Sequence, residues 1–267
     1  MTSDRRNLYF YYHPHEELNE KLKPIFQLAE ENNFKIVDDS KNANIIIAVG
    51  GDGTFLQAVR KTGFRQDCLY VGIKKENEAG LYCDFDIEHY NEMVDSMINA
   101  EVEVRRFPVI ETTINNESTF LCLNECSVRS TLIKTIDIDV FIDDIHFETF
   151  RGDGLIVATP TGSTGYNKSV NGAVVDPKIP CFQVSELASL NNNRFRTLGS
   201  SFILGSERTL KLHVQQNGND FPIVGMDNEA YSIRNIRELT VQMSQNVIKT
   251  VRLKNNSYWE RVKRTFL

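Results

Sequence analysis

The sequence predicts an α/β amino-terminal domain with a parallel, Rossmann-like sheet, followed by a β-rich carboxyl-terminal domain. Strand and helix patterns alternate over the first part of the chain, and a glycine-rich turn joins one buried strand to a helix. Beyond about residue 100, strand patterns dominate. Alternating strands and helices are typical of a parallel sheet that is covered by helices.

The α/β domain is predicted over residues 1–100. Its strands are short apolar runs, and the segments between them carry apolar residues at helical spacing. The predicted strands cover 8–12, 45–49 and 69–73, and the predicted helices cover 16–32, 54–61 and 87–100.

The β-rich domain is predicted over residues 101–255. Helical segments are expected there only near 163–170 and 181–189. The last segment, 256–267, has apolar residues at helical spacing, and we expect it to form a helix that joins the first domain.

Composition limits the classes of partner. The 267 residues carry 30 Lys and Arg against 36 Asp and Glu, a formal net charge of −6. Because binding to a nucleic-acid backbone needs clustered basic residues, no nucleic acid is expected as a partner. The sequence shows neither a signal-peptide pattern nor a membrane-spanning run, and its five cysteines include no CxxC pair. We therefore expect a cytoplasmic protein that does not bind membranes.

A glycine turn, Gly50-Gly51-Asp52-Gly53-Thr54, follows the second predicted strand and precedes a helix. Such a turn exposes backbone N–H groups at the positive end of a helix and lacks side chains that would keep a phosphate away. It lacks the Gly-Lys-Ser/Thr ending of a P-loop, and Leu56 stands where a dinucleotide fingerprint needs glycine. Glu76 partly imitates the ribose-binding acid of that fingerprint, so a fold of that type is disfavoured but stays open.

Asp52 is the distinguishing residue of this turn. A carboxylate in a phosphate-binding loop repels the anion unless it faces a hydroxyl group or a metal ion. Phosphoryl transfer to an alcohol uses a carboxylate to orient or deprotonate the hydroxyl. Aspartate also commonly caps a helix or stabilises a turn. The turn alone leaves both interpretations open.

Three polar clusters follow along the chain. Asn124-Glu125 lies in segment 120–128, which is predicted as one strand, and is explained either by a site or by a solvated strand edge. Arg151-Gly152-Asp153-Gly154 is by itself compatible with an ordinary hairpin turn. The run 159–169 (TPTGSTGYNKS) combines hydroxyls, glycines and Tyr166, which suits a nucleoside but also a helix cap.

Taken in order, the motifs GGDGT, Asn-Glu, GDG and TPTGSTGY closely resemble those of the NAD kinase family. GGDGT is also similar to the loop of diacylglycerol and sphingosine kinases and of phosphofructokinases, whereas the last motif is much more specific. The resemblance extends from about residue 44 to the region of Trp259. It implies an enzyme that transfers a phosphoryl group from ATP, or another donor, to the adenosine-ribose 2′-hydroxyl of NAD, giving NADP.

The resemblance also implies roles for individual residues. Asp52 would be the general base or the hydroxyl-orienting carboxylate, with Gly51 and Gly53 in the substrate-binding turn at the diphosphate. The pair Asn124-Glu125 would contact the adenosine part of the dinucleotide and support the site electrostatically.

Two further groups complete the implied site. Arg151 and Asp153 would reach bound dinucleotide, in this family often across a subunit contact. Similar proteins form homodimers or homotetramers and need a divalent cation, usually Mg²⁺, which arrives with the donor phosphates. The remaining pocket residues would be Thr161, Thr164, Gly165, Tyr166, Asn167, Lys168, Ser169 and Ala188, with Tyr166 offering a stacking face.

One segment departs from the family's pattern. After the strand that ends at Ile73, members usually carry a glycine-rich turn that finishes in Gly-Phe, whereas this chain has 74–82 (KKENEAGLY). Leu81 stands where the aromatic residue is expected, which leaves the packing around the ribose or donor open. Asp227 matches an Asp-Gly turn of the family in which Asn228 replaces glycine, and turn geometry accounts for it.

Two alternative functions stay open. A kinase for another hydroxyl acceptor, such as a lipid or a sugar phosphate, would share only the GGDGT loop. A non-catalytic dinucleotide sensor would keep the pocket without turnover, and the departure at 74–82 is compatible with it.

Overall fold

The computed structural model describes residues 6–75, 80–99, 101–131, 134–216, 222–232 and 235–267. The chain divides into two compact units, Met1–Phe107 with Ile248–Leu267 (the α/β unit) and Pro108–Val247 (the β unit). It passes from one unit to the other within two long strands. Glu76, the possible ribose-binding acid, lies outside the described residues.

Strands outnumber helices in the described residues. In chain order the elements are β1 (Asn7–Tyr11), α1 (Glu16–Glu31), β2 (Lys35–Ile36), β3 (Ile45–Val49), α2 (Asp52–Lys61), β4 (Leu69–Lys74), β5 (Phe85–Asp86), α3 (Tyr90–Ile98), β6 (Val102–Ile114), β7 (Ser118–Cys122), β8 (Glu125–Arg129), β9 (Ile136–Ile142), β10 (Ile145–Gly152), β11 (Gly154–Ala158), α4 (Tyr166–Ser169), β12 (Cys181–Leu187), β13 (Phe202–Gly205), β14 (Leu210–Val214), β15 (Ile223–Met226), β16 (Glu229–Ser232), β17 (Glu238–Leu253) and α5 (Tyr258–Phe266).

The α/β unit contains a parallel sheet in the order β2-β1-β3-β4. Both β5 and the end of β17 also pair with β4 in parallel, the latter through Thr250 and Tyr70. Apolar side chains of α1, including Leu18, Leu22 and Ile25, pack on this sheet in one buried cluster. The pattern of apolar strands separated by amphipathic helices therefore produces the predicted Rossmann-like layer.

Residues 52–61 form helix α2 directly after the glycine turn, and the apolar residues of this helix lie on one face. Phe55, Leu56, Ala58 and Val59 are buried, while Arg60 and Lys61 in the last turn favour the negative end of the helix dipole. Within the described residues, no α-helix combines the length and the apolar composition that crossing a bilayer requires.

The β unit is built from antiparallel pairs. One set of strands follows the order β13-β12-β11-β8-β15-β16, and a second follows β10-β9-β14-β17. Strands β6 and β7 form a further antiparallel pair. Buried apolar side chains from both sets, such as Phe150, Val157 and Leu212, belong to one core cluster. The predicted fold class, a parallel α/β part and a β-rich part, is confirmed.

The helix predicted near 181–189 is wrong, because this segment is strand β12. Cys181, Val184 and Leu187 recur every third residue, a spacing that resembles the apolar face of a helix. The tertiary structure decides: β12 pairs with β11 on one side and β13 on the other, and six of its seven residues are buried.

The single strand predicted over 120–128 is also wrong. The chain forms β7 and β8, with a break at Leu123 and Asn124. The N–H groups of these two residues donate to the carboxylate of Asp227 instead of a neighbouring strand. A side chain that is distant in sequence therefore interrupts the ladder, which local pattern cannot reveal.

The turn at 151–154 is not a hairpin. Strands β10 and β11, which flank it, belong to different sheets. The backbone of Asp153 bonds instead to the ends of two other strands. Its N–H donates to Leu187 O, at the end of β12, at 2.9 Å, and its carbonyl oxygen accepts from Ser130 N, just after β8, at 3.0 Å. These contacts, together with the φ of +156° at Gly154, redirect the chain.

Candidate active site

The glycine turn begins where β3 ends. Gly50 has a φ of +154°, and a Cβ on this residue would lie 2.3 Å from Thr54 Oγ1, so the fold itself requires glycine here. Gly51 is the residue that precedes α2, and no side chain caps this end of the helix. The amino terminus of α2 is thus built without side chains that would shield its backbone.

Gly53 differs from Gly50. It is exposed, and apart from its two chain neighbours and the backbone of its own helix no heavy atom of the described residues lies within 4 Å of the position that a Cβ would occupy. Glycine near the start of a helix costs roughly 1 kcal/mol relative to alanine. Packing among the described residues does not demand glycine at 53, whereas a ligand that comes close to the backbone would demand it.

Asp52 does not cap its own helix. Its Oδ2 accepts the backbone N–H of Leu81 at 2.7 Å, and its Oδ1 accepts that of Tyr82 at 2.8 Å. A Cβ on Gly80 would lie 2.8 Å from Oδ1, so segment 80–82 runs directly against the carboxylate. Each carboxylate oxygen retains a second lone pair that can accept from a hydroxyl or bind a cation.

The departure from the family's pattern therefore falls on residues that contact Asp52 through their backbone. Leu81 replaces the expected aromatic residue, but its contact with the carboxylate is an N–H group, which every residue except proline carries. The aromatic ring of Tyr82 stacks on Phe55 of α2, with 4.9 Å between centroids and 5° between planes. No sequence pattern indicates this contact between segment 80–82 and Asp52.

In the β unit, Asp227 organises the break between β7 and β8. Its carboxylate accepts three consecutive N–H groups, from Leu123 at 3.1 Å, Asn124 at 2.6 Å and Glu125 at 3.3 Å. Its backbone has a φ of +53°, and its own N–H donates to Glu125 O at 2.8 Å. Turn geometry is thus only part of its role, because the residue also places the predicted pair Asn124-Glu125.

Glu125 is 8% exposed. Burial, and secondarily the negative charge of Asp227, raise the pKa of Glu125 to about 8. Its Oε2 is buried and has no hydrogen-bond partner among the described residues. A Cβ on Gly165 would lie 3.0 Å from this oxygen, so the run 159–169 passes close to it. At neutral pH this carboxyl group carries a proton and can donate a hydrogen bond.

Most hydroxyls of the run 159–169 have partners within the protein. Thr159 and Thr161 donate to Leu123 O at 2.6 and 3.2 Å, and Thr164 donates to Thr161 O at 3.2 Å. A Cβ on Gly162 would lie 2.0 Å from Asn124 O, which shows how closely the run packs on the break between β7 and β8. These hydroxyls build the turn, an internal role that composition alone did not distinguish from ligand contact.

Asn167 is fully buried and bridges two segments. Its amide donates to Ser163 O at 3.2 Å and accepts from Ser185 Oγ at 2.6 Å. The neighbouring Lys168 and Ser169 are exposed, and Ser169 Oγ donates to Tyr166 O at 2.7 Å.

A cleft of about 620 Å³ in the β unit brings three predicted residues together. Arg129, one of the residues that line this cleft, donates to Tyr166 Oη at 3.0 Å, and its guanidinium lies 5.6 Å from the centre of the tyrosine ring. Ala188 adopts a φ of +46°, which is unusual for a residue with a Cβ. The lining consists of the predicted Asp153, Tyr166 and Ala188, together with Arg129, Ser130, Lys134, Thr135 and Leu187.

Four of the polar residues in this lining were missed by the sequence analysis. Arg129 ends the buried strand β8, Ser130 follows it, and Lys134 and Thr135 precede β9. Charged and hydroxyl residues at strand ends are common on any surface, so their convergence on one cleft could not be inferred from the sequence.

Arg151 does not line this cleft. Its guanidinium forms two bonds to the carboxylate of Asp137, at 2.5 and 2.6 Å, and lies 4.2 Å from the centre of the Phe195 ring. The bond to Asp137 raises the pKa of Arg151 above its usual value. Within its own chain, this arginine is held by a carboxylate and an aromatic face.

No group of three or more His, Cys, Asp or Glu side chains that could hold a metal ion is found among the residues that the structure covers. Cys68, Cys83, Cys122, Cys126 and Cys181 are all buried, and none of them forms a disulfide.

Comparison with known proteins gives concordant results. The model of the ATP-NAD kinase C-terminal domain matches residues 123–253. The chain is 60% identical to NAD kinase 2 of Bacillus subtilis over 267 residues, which covers all of both chains. It is 59% identical to NAD kinase 2 of Oceanobacillus iheyensis over 265 residues, covering 99% of this chain and 100% of the relative.

Two solved structures resemble the fold. An Archaeoglobus fulgidus NAD kinase in complex with ATP has a TM-score of 0.73 and 25% identity, with 97% of each chain covered. Yeast NADH kinase complexed with NADH has a TM-score of 0.81 at 18% identity, covering 99% of this chain and 88% of the yeast chain, and supports the fold alone. At 59–60% identity to full-length relatives, the chain belongs to the NAD kinase family of phosphotransferases, as its motifs predict.

Proposed function

We propose that this chain phosphorylates the adenosine-ribose 2′-hydroxyl of NAD with ATP, giving NADP and ADP. The observation that carries the proposal is the setting of Asp52. Its carboxylate is held by two N–H groups at a glycine turn, where no described residue outside the turn and its helix would meet a Cβ on Gly53. A fixed carboxylate at a glycine-rich helix amino terminus can hold a hydroxyl and a phosphate side by side.

Asp52 then orients the 2′-hydroxyl and accepts its proton as the new bond forms. The ribose oxygen attacks the γ-phosphorus, the bond from that phosphorus to the β–γ bridging oxygen breaks, and ADP leaves. Gly51 and Gly53 allow the phosphates to approach the turn. Phosphoryl transfer asks little covalent chemistry of the protein, so positioning and charge neutralisation supply most of the acceleration.

The β unit, within the predicted 101–255 domain, supplies the dinucleotide pocket in this proposal. Tyr166 offers a ring face for the base, with Asp153 and Ala188 on the same cleft. Asn124 and Glu125 contact the adenosine part, and protonated Glu125 can donate to an acceptor on the ligand.

We also propose that Mg²⁺ arrives with the donor phosphates and neutralises their charge. The free lone pairs of Asp52 fit an oxygen-liganded cation as well as a hydroxyl. The donor phosphates then provide most of its ligands.

A homodimer or homotetramer is proposed from the family resemblance. Exposed apolar side chains on strands of the β unit support it, since Phe147 is 43% exposed and Ile203 is 51% exposed. In such an assembly Arg151 would reach the dinucleotide of a neighbouring copy. The five buried cysteines, none of them in a disulfide, suit a reducing, cytoplasmic compartment.

The test is an acceptor-and-donor panel on the purified protein. NAD, NADH, a diacylglycerol and fructose 6-phosphate are each incubated with Mg²⁺ and either ATP or polyphosphate. NADP formed from NAD is measured with an NADP-specific dehydrogenase. We expect product with NAD and ATP. Phosphorylation of only the lipid or sugar would instead establish another hydroxyl kinase, and NAD binding without any turnover would establish a sensor.

A further inference from the structure

A buried charge cluster lies in the α/β unit. Its carboxylate, Asp84, lies two residues after segment 80–82, which contacts Asp52. The carboxylate of Asp84 accepts from Arg252 Nη1 at 2.9 Å and from Arg261 Nη1 at 3.3 Å. All three side chains are fully buried. Two buried cations that share one carboxylate are costly to desolvate, so this cluster calls for a reason beyond stability.

Arg252 connects this cluster to Leu81. While Nη1 bonds to Asp84, Nη2 donates to the carbonyl oxygen of Leu81 at 2.7 Å. The guanidinium also lies 5.2 Å from the centre of the Phe107 ring. Because a guanidinium is planar and its donors have fixed directions, these contacts set the position of the Leu81 carbonyl.

The same residue, Leu81, donates its N–H to Asp52. Arg252 therefore binds the carbonyl oxygen of Leu81, while the N–H group of Leu81 binds the carboxylate of Asp52, the proposed base. The backbone of Gly80 also lies so close to Asp52 that a methyl group added at Gly80 would have to displace the carboxylate or the backbone. The carboxylate is constrained by segment 80–82 and the segment is constrained by the buried arginine.

We propose that segment 80–82, held by Arg252, is a positioning clamp for the Asp52 carboxylate, with Arg252 acting through Leu81 and without touching substrate. The inference rests on the proposed function, which assigns the reacting hydroxyl to Asp52. Displacement of a reacting group by about 1 Å can cost about a hundredfold in rate, so a clamp of this kind acts on turnover.

The first experiment compares Arg252→Lys with Arg261→Lys. Lysine keeps the charge but lacks the planar fork that reaches Asp84 and Leu81 together. Arg261 is the matched control, because it is equally buried and bonds to the same Asp84 but has no bond to Leu81. Circular dichroism selects a temperature at which every variant is folded. We expect kcat of Arg252→Lys to fall at least tenfold, with KM for NAD within threefold, and kcat of Arg261→Lys to stay within twofold of wild type.

The second experiment is a double-mutant cycle with Asp52→Asn. If Arg252 acts through Asp52, the double variant should have a kcat within twofold of Asp52→Asn alone, because the clamp has nothing left to position. Multiplicative losses would overturn the clamp and leave the proposed function intact. Unchanged turnover in Asp52→Asn would overturn the proposed function itself.

Gly80→Ala tests the clamp without altering the buried arginines. It therefore remains a test of the proposal if Arg252→Lys does not fold. Gly205→Ala is its control, since a methyl group there meets only the flexible end of Glu207. We expect at least a tenfold loss of kcat in Gly80→Ala, again without further loss in the Asp52→Asn background, and no loss in Gly205→Ala. Wild-type kcat in Gly80→Ala would overturn the proposal.

Discussion

The carboxylate of Asp227 accepts the backbone N–H of Asn124 at 2.6 Å, across 103 positions of sequence. The same carboxylate also accepts from Leu123 and Glu125, so one side chain holds three consecutive peptides of the β unit. In the α/β unit Asp52 makes the corresponding contact to Leu81 and Tyr82. In each unit, an aspartate accepts the N–H groups of consecutive backbone residues.

Replacing Asp227 should therefore destabilise the β unit. Asp227→Ala leaves three N–H groups without their acceptor. It also places alanine, whose side chain cannot form a hydrogen bond with the nearby backbone, at a φ of +53°. We expect a loss of about 2–4 kcal/mol in the free energy of unfolding, measured by urea denaturation. Asp227→Asn keeps an acceptor oxygen and tolerates this φ, so it should lose less than half as much. A free energy of unfolding unchanged in Asp227→Ala would contradict the role of the carboxylate.

Asp52→Asn should separate chemistry from binding. The amide can still accept one N–H but cannot take a proton from the hydroxyl, so kcat should fall by roughly a hundredfold or more. NAD affinity should stay within about tenfold, or 1.4 kcal/mol. Steady-state kinetics and calorimetric titration with NAD measure the two quantities. A variant with wild-type kcat would remove Asp52 from the mechanism.

Gly53→Ala should stabilise the protein while lowering activity. Apart from those of its two chain neighbours, no side chain of the described residues lies within 4 Å of the added methyl group, and alanine favours a helix over glycine by up to about 1 kcal/mol. The melting temperature should therefore rise or stay unchanged. If donor phosphates approach this backbone, KM for ATP should rise at least tenfold. Lys61→Ala, at the exposed far end of the same helix, is the control and should leave KM unchanged. Full activity in Gly53→Ala would show that nothing binds close to this residue.

Glu125 should make stability depend on pH. The unfolded chain releases this proton near 4.5, whereas the folded protein retains it until about 8, because the carboxyl is buried beside Asp227. Between these values the folded state binds more protons, so the free energy of unfolding falls as pH rises. The total loss is on the order of a few kcal/mol, since one pKa unit corresponds to about 1.4 kcal/mol.

Glu125→Gln should remove this dependence. Its free energy of unfolding should fall less between pH 5 and 8 than that of wild type, roughly by the amount assigned to Glu125. Urea denaturation at several pH values measures both proteins, and Glu117→Gln, an exposed residue of the same unit, is the control. If the free energies of unfolding of wild type and Glu125→Gln change with pH in parallel, Glu125 does not retain its proton in the folded protein.

By itself, the sequence determined the parallel α/β layer, the β-rich part and the family. Local pattern suffices for these, because buried strands such as β3 are apolar runs and the glycine turn lies between one strand and one helix. The motif TPTGSTGY identified the family although most of its hydroxyls bond within the protein.

Only the tertiary structure decided which groups meet. The break at Asn124, the strand at 181–187 and the contact of Asp52 with Leu81 all depend on partners that are distant in sequence. A carboxylate that accepts backbone N–H groups leaves no trace in the residues it holds, because every residue except proline offers the same donor. For the same reason nothing in the sequence around Arg252, which lies between the apolar Val251 and Leu253 in β17, indicates the carbonyl that it binds.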